Sequence, residues 1–279
     1  MSAIQSKKIF ISPVHDSEDE ILHSYEEFDS KGNQLLSITY DANGDMDEKV
    51  IQKYNEAGML VEQSIYDFSN EPVEKHSFAY SGNIMLTEEI YYADGSVSVR
   101  HFNRQTPGLL LEQMIAEDGV HEEKVERYWN ESGQVIKQLF YDEDQKLTRT
   151  EEFEYAGKLR SKLKETDHTE KMVVIHEFTY SPANLLLSQV SKNEAGKVLS
   201  YIQFEYDEKA RVLKQKGSSS RSSIVYEYDD ENNTITELHF SPMGTIDHRL
   251  VTHMDENGNI SLQTTLLNQR RFEYTYFES

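Results

Sequence analysis

A short pattern recurs from near the start of this chain almost to its end. An aromatic residue is followed by Asp, Asn or Ser, then by glycine four positions after the aromatic and an apolar residue six after it. "YDANGDM" (40–46), "YNEAGML" (54–60) and "WNESGQV" (129–135) carry the pattern in full. "KNEAGKV" (192–198), "FSPMGTI" (240–246) and "MDENGNI" (254–260) keep the glycine and the apolar residue. Degenerate copies begin at Phe28, Tyr66, Tyr80, Tyr92, Phe102, Tyr141, Tyr155, Tyr180, Tyr206 and Tyr228. Phe28, Tyr54 and Tyr80 are spaced 26 residues apart, and a second series runs through Tyr40, Tyr66 and Tyr92. The unit is therefore about 26 residues, two strands and two turns, written some nine times. A fixed period in that range marks a stacked or wound repeat array.

Each half-repeat has a physical reading. Asp or Asn after the aromatic opens a turn by bonding its own backbone, and glycine supplies the positive φ that closes a hairpin with a bulge. Gly44, Gly58, Gly133, Gly196, Gly244 and Gly258 are the expected turn glycines. Between turns the side chains alternate: Leu60, Glu62, Ser64 and Tyr66 share one face, Val61, Gln63 and Ile65 the other. Period two means strands, and no window carries a capped helical stripe. The fold class expected is all-β: tandem hairpins of about 26 residues in one long, strongly twisted and coiled antiparallel sheet. About twenty strands cannot stay in one flat open sheet, so an open trough, spiral or partial tube is expected. Residues 1–24 read as an N-terminal cap, with "HDSEDE" (15–20) keeping that end soluble, and residues 25–279 as a single repeat domain.

Paired aromatics two apart, Phe78/Tyr80, Phe153/Tyr155, Phe178/Tyr180, Phe204/Tyr206 and Tyr226/Tyr228, are expected to line into cross-strand ladders. The last stretch, "RRFEYTYFES", places Phe272, Tyr274 and Tyr276 on one face with no turn after them. An unpaired aromatic edge is an association hazard. This strand is expected either to pair with another chain, giving self-association, or to close onto the N-terminal strand near "KIFIS".

Composition narrows the function classes. The 279 residues include 50 acidic and 28 basic ones, a formal net charge of −22. A phosphate backbone is repelled at that charge, so nucleic acid is not an expected partner. No cysteine is present, which removes a disulfide framework and a thiolate metal site. No apolar run approaches a helical membrane span, and the run before Ser12 is only "IFI", too short for a secretory signal. The expected localisation is cytoplasmic. Ten histidines are scattered, and strand parity puts His248 and His253 on opposite faces, against a metal site with His239. "HEEK" (121–124) lacks a zincin's second histidine. Neighbouring carboxylates such as Glu151/Glu152 read as a solvated charge face, and "KGSSSRSS" (216–223) as a turn. No catalytic residue, cofactor or metal is expected.

"YDANGDM", "YNEAGML", "FEYDEKARVLKQ" (204–215) and "YEYDDENNTI" (226–235) resemble the YD repeats of the RHS family, over residues 25 to 276. The resemblance implies a spiralling β shell that encloses or displays a polypeptide, often a toxin. This chain departs from the large members: Asp45, Met59, Gln134 and Lys197 stand where a basic residue precedes the apolar one. Short repeat-built immunity proteins encoded beside toxins are an equally close resemblance. The expected function is thus a non-catalytic repeat scaffold that binds a protein, a basic toxin, effector or secretion-system component, in an immunity or chaperone-like role. The alternative is a cell-envelope or carbohydrate-binding repeat protein. Glu154, Glu205 and Glu227 each lie between two ladder aromatics, so strand geometry sends them to the opposite face, the expected protein-binding column.

Overall fold

The computed structural model describes residues 3–14, 20–106, 108–116, 119–218 and 223–278. His15 to Asp19 of the expected acidic cap, and residues 219–222 of "KGSSSRSS", lie outside the described residues. Every element found is a β-strand. In chain order they are β1 (Ile4–Pro13), β2 (Ile21–Phe28), β3 (Gln34–Tyr40), β4 (Met46–Tyr54), β5 (Leu60–Tyr66), β6 (Pro72–Ser81) and β7 (Ile84–Tyr92). There follow β8 (Val97–Thr106), β9 (Leu109–Ala116), β10 (His121–Trp129), β11 (Val135–Tyr141), β12 (Leu147–Ala156), β13 (Leu159–Asp167), β14 (Met172–Tyr180) and β15 (Leu186–Asn193). The chain ends with β16 (Val198–Tyr206), β17 (Val212–Gly217), β18 (Ser223–Asp229), β19 (Thr234–Phe240), β20 (Ile246–Met254), β21 (Ile260–Thr264) and β22 (Asn268–Tyr276).

The hairpin between β4 and β5 shows how the repeat is made. Gly58 N–H donates to the Asn55 carbonyl at 2.9 Å, and Asn55 N–H donates to the Met59 carbonyl at 2.9 Å. The Asn55 side-chain oxygen accepts from Met59 N–H at 3.0 Å, which fixes the turn from within. Gly44, Gly58, Gly133, Gly196, Gly244 and Gly258 hold φ between 74 and 84 degrees. The degenerate copies reach the same backbone without glycine: Asn70, Gln145, Asn184 and Ala210 have φ between 60 and 64 degrees. A bulge follows the turn, because Tyr54 pairs with Leu60 but Lys53 pairs with Glu62. Val61 is the extra residue. Leu35, Leu86, Ile136, Leu187 and Leu213 hold the same place in their hairpins. Such bulges increase the local twist.

One 22-stranded antiparallel sheet contains all the strands, and its end strands pair. β22 runs antiparallel to β1, from Tyr276 opposite Ile4 to Asn268 opposite Pro13. The sheet therefore closes into a barrel, which corrects the expected open trough, spiral or partial tube. The physical reason is the edge. An open sheet leaves two rows of unpaired backbone groups, and a ring leaves none. Residues 1–24, read from the sequence as a cap, supply β1 and the start of β2, and β1 is the strand onto which β22 closes.

Two compact units divide the chain: residues 1–97, 227–237 and 248–279, and residues 98–226 and 238–247. Neither has a thick core. Among the described residues, Ile90, Val125 and Phe153 are the buried apolar side chains, the first in one unit and the others in the second. Cohesion in each unit thus rests on the backbone ladder and on cross-strand side-chain pairs.

Candidate binding surface

Registry sorts the side chains into two faces, and both are charged. The face bearing the aromatic pairs carries a row of polar groups bonded from strand to strand. In the second unit it begins at Arg100 on β8, which meets Glu112 at 3.4 Å and Glu123 at 3.0 Å. Glu112 also pairs with Arg127, whose Nε donates to Gln138 at 3.0 Å. Gln138 donates to Glu151 at 3.3 Å. Glu151 lies opposite Glu165, and Glu165 meets His176 Nε2 at 2.8 Å. His176 Nδ1 completes the row 2.8 Å from Ser191 Oγ. Burial raises the pKa of Glu151, and the charge of Glu165 adds to the effect while Arg149 opposes it. In the first unit the same face holds Gln52 bonded to Gln63 at 2.9 Å, and His76 between Glu74 at 2.6 Å and Glu88 at 2.8 Å.

This row corrects the reading of Glu151/Glu152 as a solvated pair. The two do point apart, but Glu151 is half-buried in the row while Glu152 faces the other way, 3.7 Å from Lys164. Sequence alone could not find the row, because its members come from eight strands and meet only through registry. The aromatic pairs are also corrected. They occupy every second strand, so Phe178 stands opposite Gln189 and Phe204 opposite Gln215. Ring contacts run along a strand instead, as in Phe204–Tyr206 at 6.4 Å between centroids. The tyrosines have a different task. Tyr80, Tyr155, Tyr180 and Tyr206 donate their hydroxyls to the carbonyls of Leu60, Val135, Arg160 and Leu186 at 2.7 to 2.8 Å. Each reaches back 20 residues and locks its strand to the start of the one before it.

The opposite face carries exposed cross-strand ion pairs: Glu62 between Lys53 at 2.6 Å and Lys75 at 2.9 Å, and Lys192 with Glu177 at 2.5 Å. Glu154 is here, 3.0 Å from Lys162. Glu205 pairs in register with Lys214. Glu227 is exposed on β18. The expected carboxylate column is thus interleaved with lysines at Glu154 and Glu205.

Carboxylates at the turns are bonded to the turn backbone. Asp41 Oδ1 accepts the N–H groups of Asn43 at 2.8 Å and Asp45 at 3.0 Å. Those backbone bonds hold its carboxyl below the ordinary range, and the Ser69 hydroxyl and backbone N–H bonds do the same for Asp67. The same bonds that shape the turns keep them negative.

No protein-family model matches the chain, and no curated protein does. Among solved structures, the TcdB2–TccC3–TEV structure is similar over 88% of this chain, with 12% identity and a TM-score of 0.32. The chain spans 19% of the length of that one. A porin-like protein from Bacteroides uniformis covers 99% of both chains at 9% identity and TM-score 0.32. Another, from Bacteroides vulgatus, has 11% identity and TM-score 0.29, over 75% of this chain and 100% of its own. At 9 to 12% identity and TM-scores of 0.29 to 0.32, no family follows from these likenesses. The fold class rests on this chain's own strand pairings.

Proposed function

We propose that this chain is a non-catalytic repeat scaffold of the cytoplasm that binds a basic protein, a toxin, effector or secretion component, in an immunity- or chaperone-like role. The observation that carries this reading is the fixed negative charge of the hairpin turns, within a chain of net charge −22. Ionised carboxylates at such turns attract a cationic protein and accelerate its encounter. A lipid-facing wall is disfavoured on either face. One carries Arg100, Glu112 and Arg127, the other Lys53, Glu62 and Lys75, where a membrane barrel needs an apolar band. A sugar-binding aromatic strip is disfavoured because the repeat tyrosines spend their hydroxyls on backbone carbonyls.

The test is to recover the partner from the native host and measure its association rate at two salt concentrations. A basic partner whose on-rate falls about tenfold or more with added salt is expected. Glu154, Glu205 and Glu227 are the proposed contacts on the opposite face, and changing all three to Gln should lower both the rate and its salt dependence. An unchanged rate would remove that face, and an acidic or salt-indifferent partner would remove the reading.

A further inference from the structure

One end of the first unit joins an apolar cavity to an acidic turn. The cavity, about 410 Å³, is lined by Ile11, Pro13, Ile21, Tyr40, Ala42 and Asn268, among others. Its volume is in the range of ligand-binding pockets. Its lining includes a buried and bonded residue: Ser12 is 2% exposed and its hydroxyl accepts from Gln269 at 3.1 Å. Beside it, in the loop joining β21 to β22, Leu266 and Leu267 are 64% and 77% exposed. The Leu267 carbonyl accepts the Val14 N–H at 2.9 Å, which pins that loop against the end of β1.

The other side is the turn between β3 and β4. It packs on the cavity wall, since a Cβ placed on Gly44 would lie 3.9 Å from Ile21 Cγ2. Residues 41–48, "DANGDMDE", hold four carboxylates and no basic residue. Asp41, Asp45, Asp47 and Glu48 are exposed. The first cation after them, Lys49, is spent on the Tyr66 ring, 4.3 Å from its centroid, and on Asn70.

We infer that this end of the chain docks a polypeptide segment in which an apolar side chain is flanked by Lys or Arg. The apolar side chain enters between Ile11, Ile21 and Tyr40 and covers Leu266 and Leu267. Its basic neighbours meet the 41–48 carboxylates. Charge complementarity decides the occupant: a second copy of this chain would bring like charge, and an acidic peptide would be repelled. The inference rests on the reading of the chain as a scaffold for basic proteins and names where on it such a protein docks.

Nuclear magnetic resonance of the full chain, labelled at Ile, Leu and Ala methyls, tests it. The probe is a short synthetic peptide alternating Lys or Arg with Leu or Phe. Saturable shifts are expected at Ile11, Ile21, Ala42, Leu266 and Leu267. The pair Leu266→Asp and Leu267→Asp, at exposed positions, should weaken binding about tenfold or more. The triple change Asp45→Asn, Asp47→Asn and Glu48→Gln should weaken it several-fold and reduce its salt dependence. An all-lysine peptide that shifts the same methyls equally would overturn the inference, as would shifts spread over every acidic turn. Basic peptide binding that is indifferent to the leucine pair sinks this site and leaves the scaffold reading standing. No binding of any cationic peptide or protein sinks both.

Discussion

A residue's backbone requirement and its side-chain space separate cleanly in the turns. Gly133 holds φ at 74 degrees with nothing within 4 Å of where a Cβ would stand, so Gly133→Ala meets backbone strain alone. That costs about 1–2 kcal/mol. Gly108 has φ at 92 degrees and a Cβ there would lie 3.1 Å from the Trp129 carbonyl oxygen, while its own carbonyl accepts the Trp129 N–H at 2.8 Å. Gly108→Ala therefore adds crowding and should cost about 1 kcal/mol more than Gly133→Ala in urea unfolding. Ala210 is the reverse case, a Cβ residue already held at φ 62. Ala210→Gly should stabilise by about 0.5–1 kcal/mol, since relief of strain exceeds the entropy glycine adds to the unfolded chain. Equal midpoints for all three variants would show that the turns tolerate any residue. The asparagines at positions 70 and 184 need no such relief, because Asn adopts this region readily.

Between elements, charge placement should be visible as pH dependence. Arg271 on β22 donates two hydrogen bonds to the Glu20 carboxylate ahead of β2, at 2.8 and 2.5 Å, and its guanidinium stacks 4.3 Å from the centre of the Phe10 ring on β1. The Arg271 hydrogen bond, aided by its charge, holds the Glu20 pKa below its ordinary 4.5 despite burial. A depressed carboxylate contributes stability that is present above its unfolded pKa and lost as pH falls through the folded one. Arg271→Leu should thus cost about 0.5–1 kcal/mol at pH 7, with the difference from the parent shrinking below 4.5. A pH-independent difference in melting would show that packing on Phe10, not the ion pair, was lost. Glu151 has the opposite sign. Its pKa is raised by burial, so its ionisation costs stability as pH climbs through that raised value. Glu151→Gln should match the parent at acidic pH and exceed it by up to about 1 kcal/mol at neutral pH. A variant less stable than the parent at neutral pH would mean that the bonds to Gln138 and Arg149 outweigh the desolvation.

Closure belongs to the whole molecule. β22 covers the free edge of β1, and its Tyr274 hydroxyl donates to the Ile260 carbonyl at 2.9 Å, tying it back to β21. Truncation after Arg270 removes most of β22 and uncovers strand edges on both sides of the gap. The truncated chain should associate through those edges, and light scattering after size exclusion should read dimers or larger species. A truncated chain that stays monomeric and soluble would show that the seam is dispensable.

The repeat unit is written locally. Asp or Asn bonds its own turn and glycine takes positive φ within a span of five residues, so Tyr54 to Gly58 already define a hairpin without help from the rest of the chain. Strand alternation placed Glu154 opposite the aromatic face for the same local reason. What joins residues distant along the chain arises only from how the strands meet. Whether twenty-odd twisted strands stay open or meet depends on the sum of small rotations, and no single repeat encodes that sum. The sequence left two fates open for the last strand, another chain or the strand near "KIFIS", and only the register of β22 on β1 chose between them. The row from Arg100 to Ser191 and the cavity between Ile11, Tyr40 and Asn268 are absent from any window of sequence. Their residues are unremarkable as neighbours in sequence and acquire partners only through registry, where a one-residue slip would turn each to the other face.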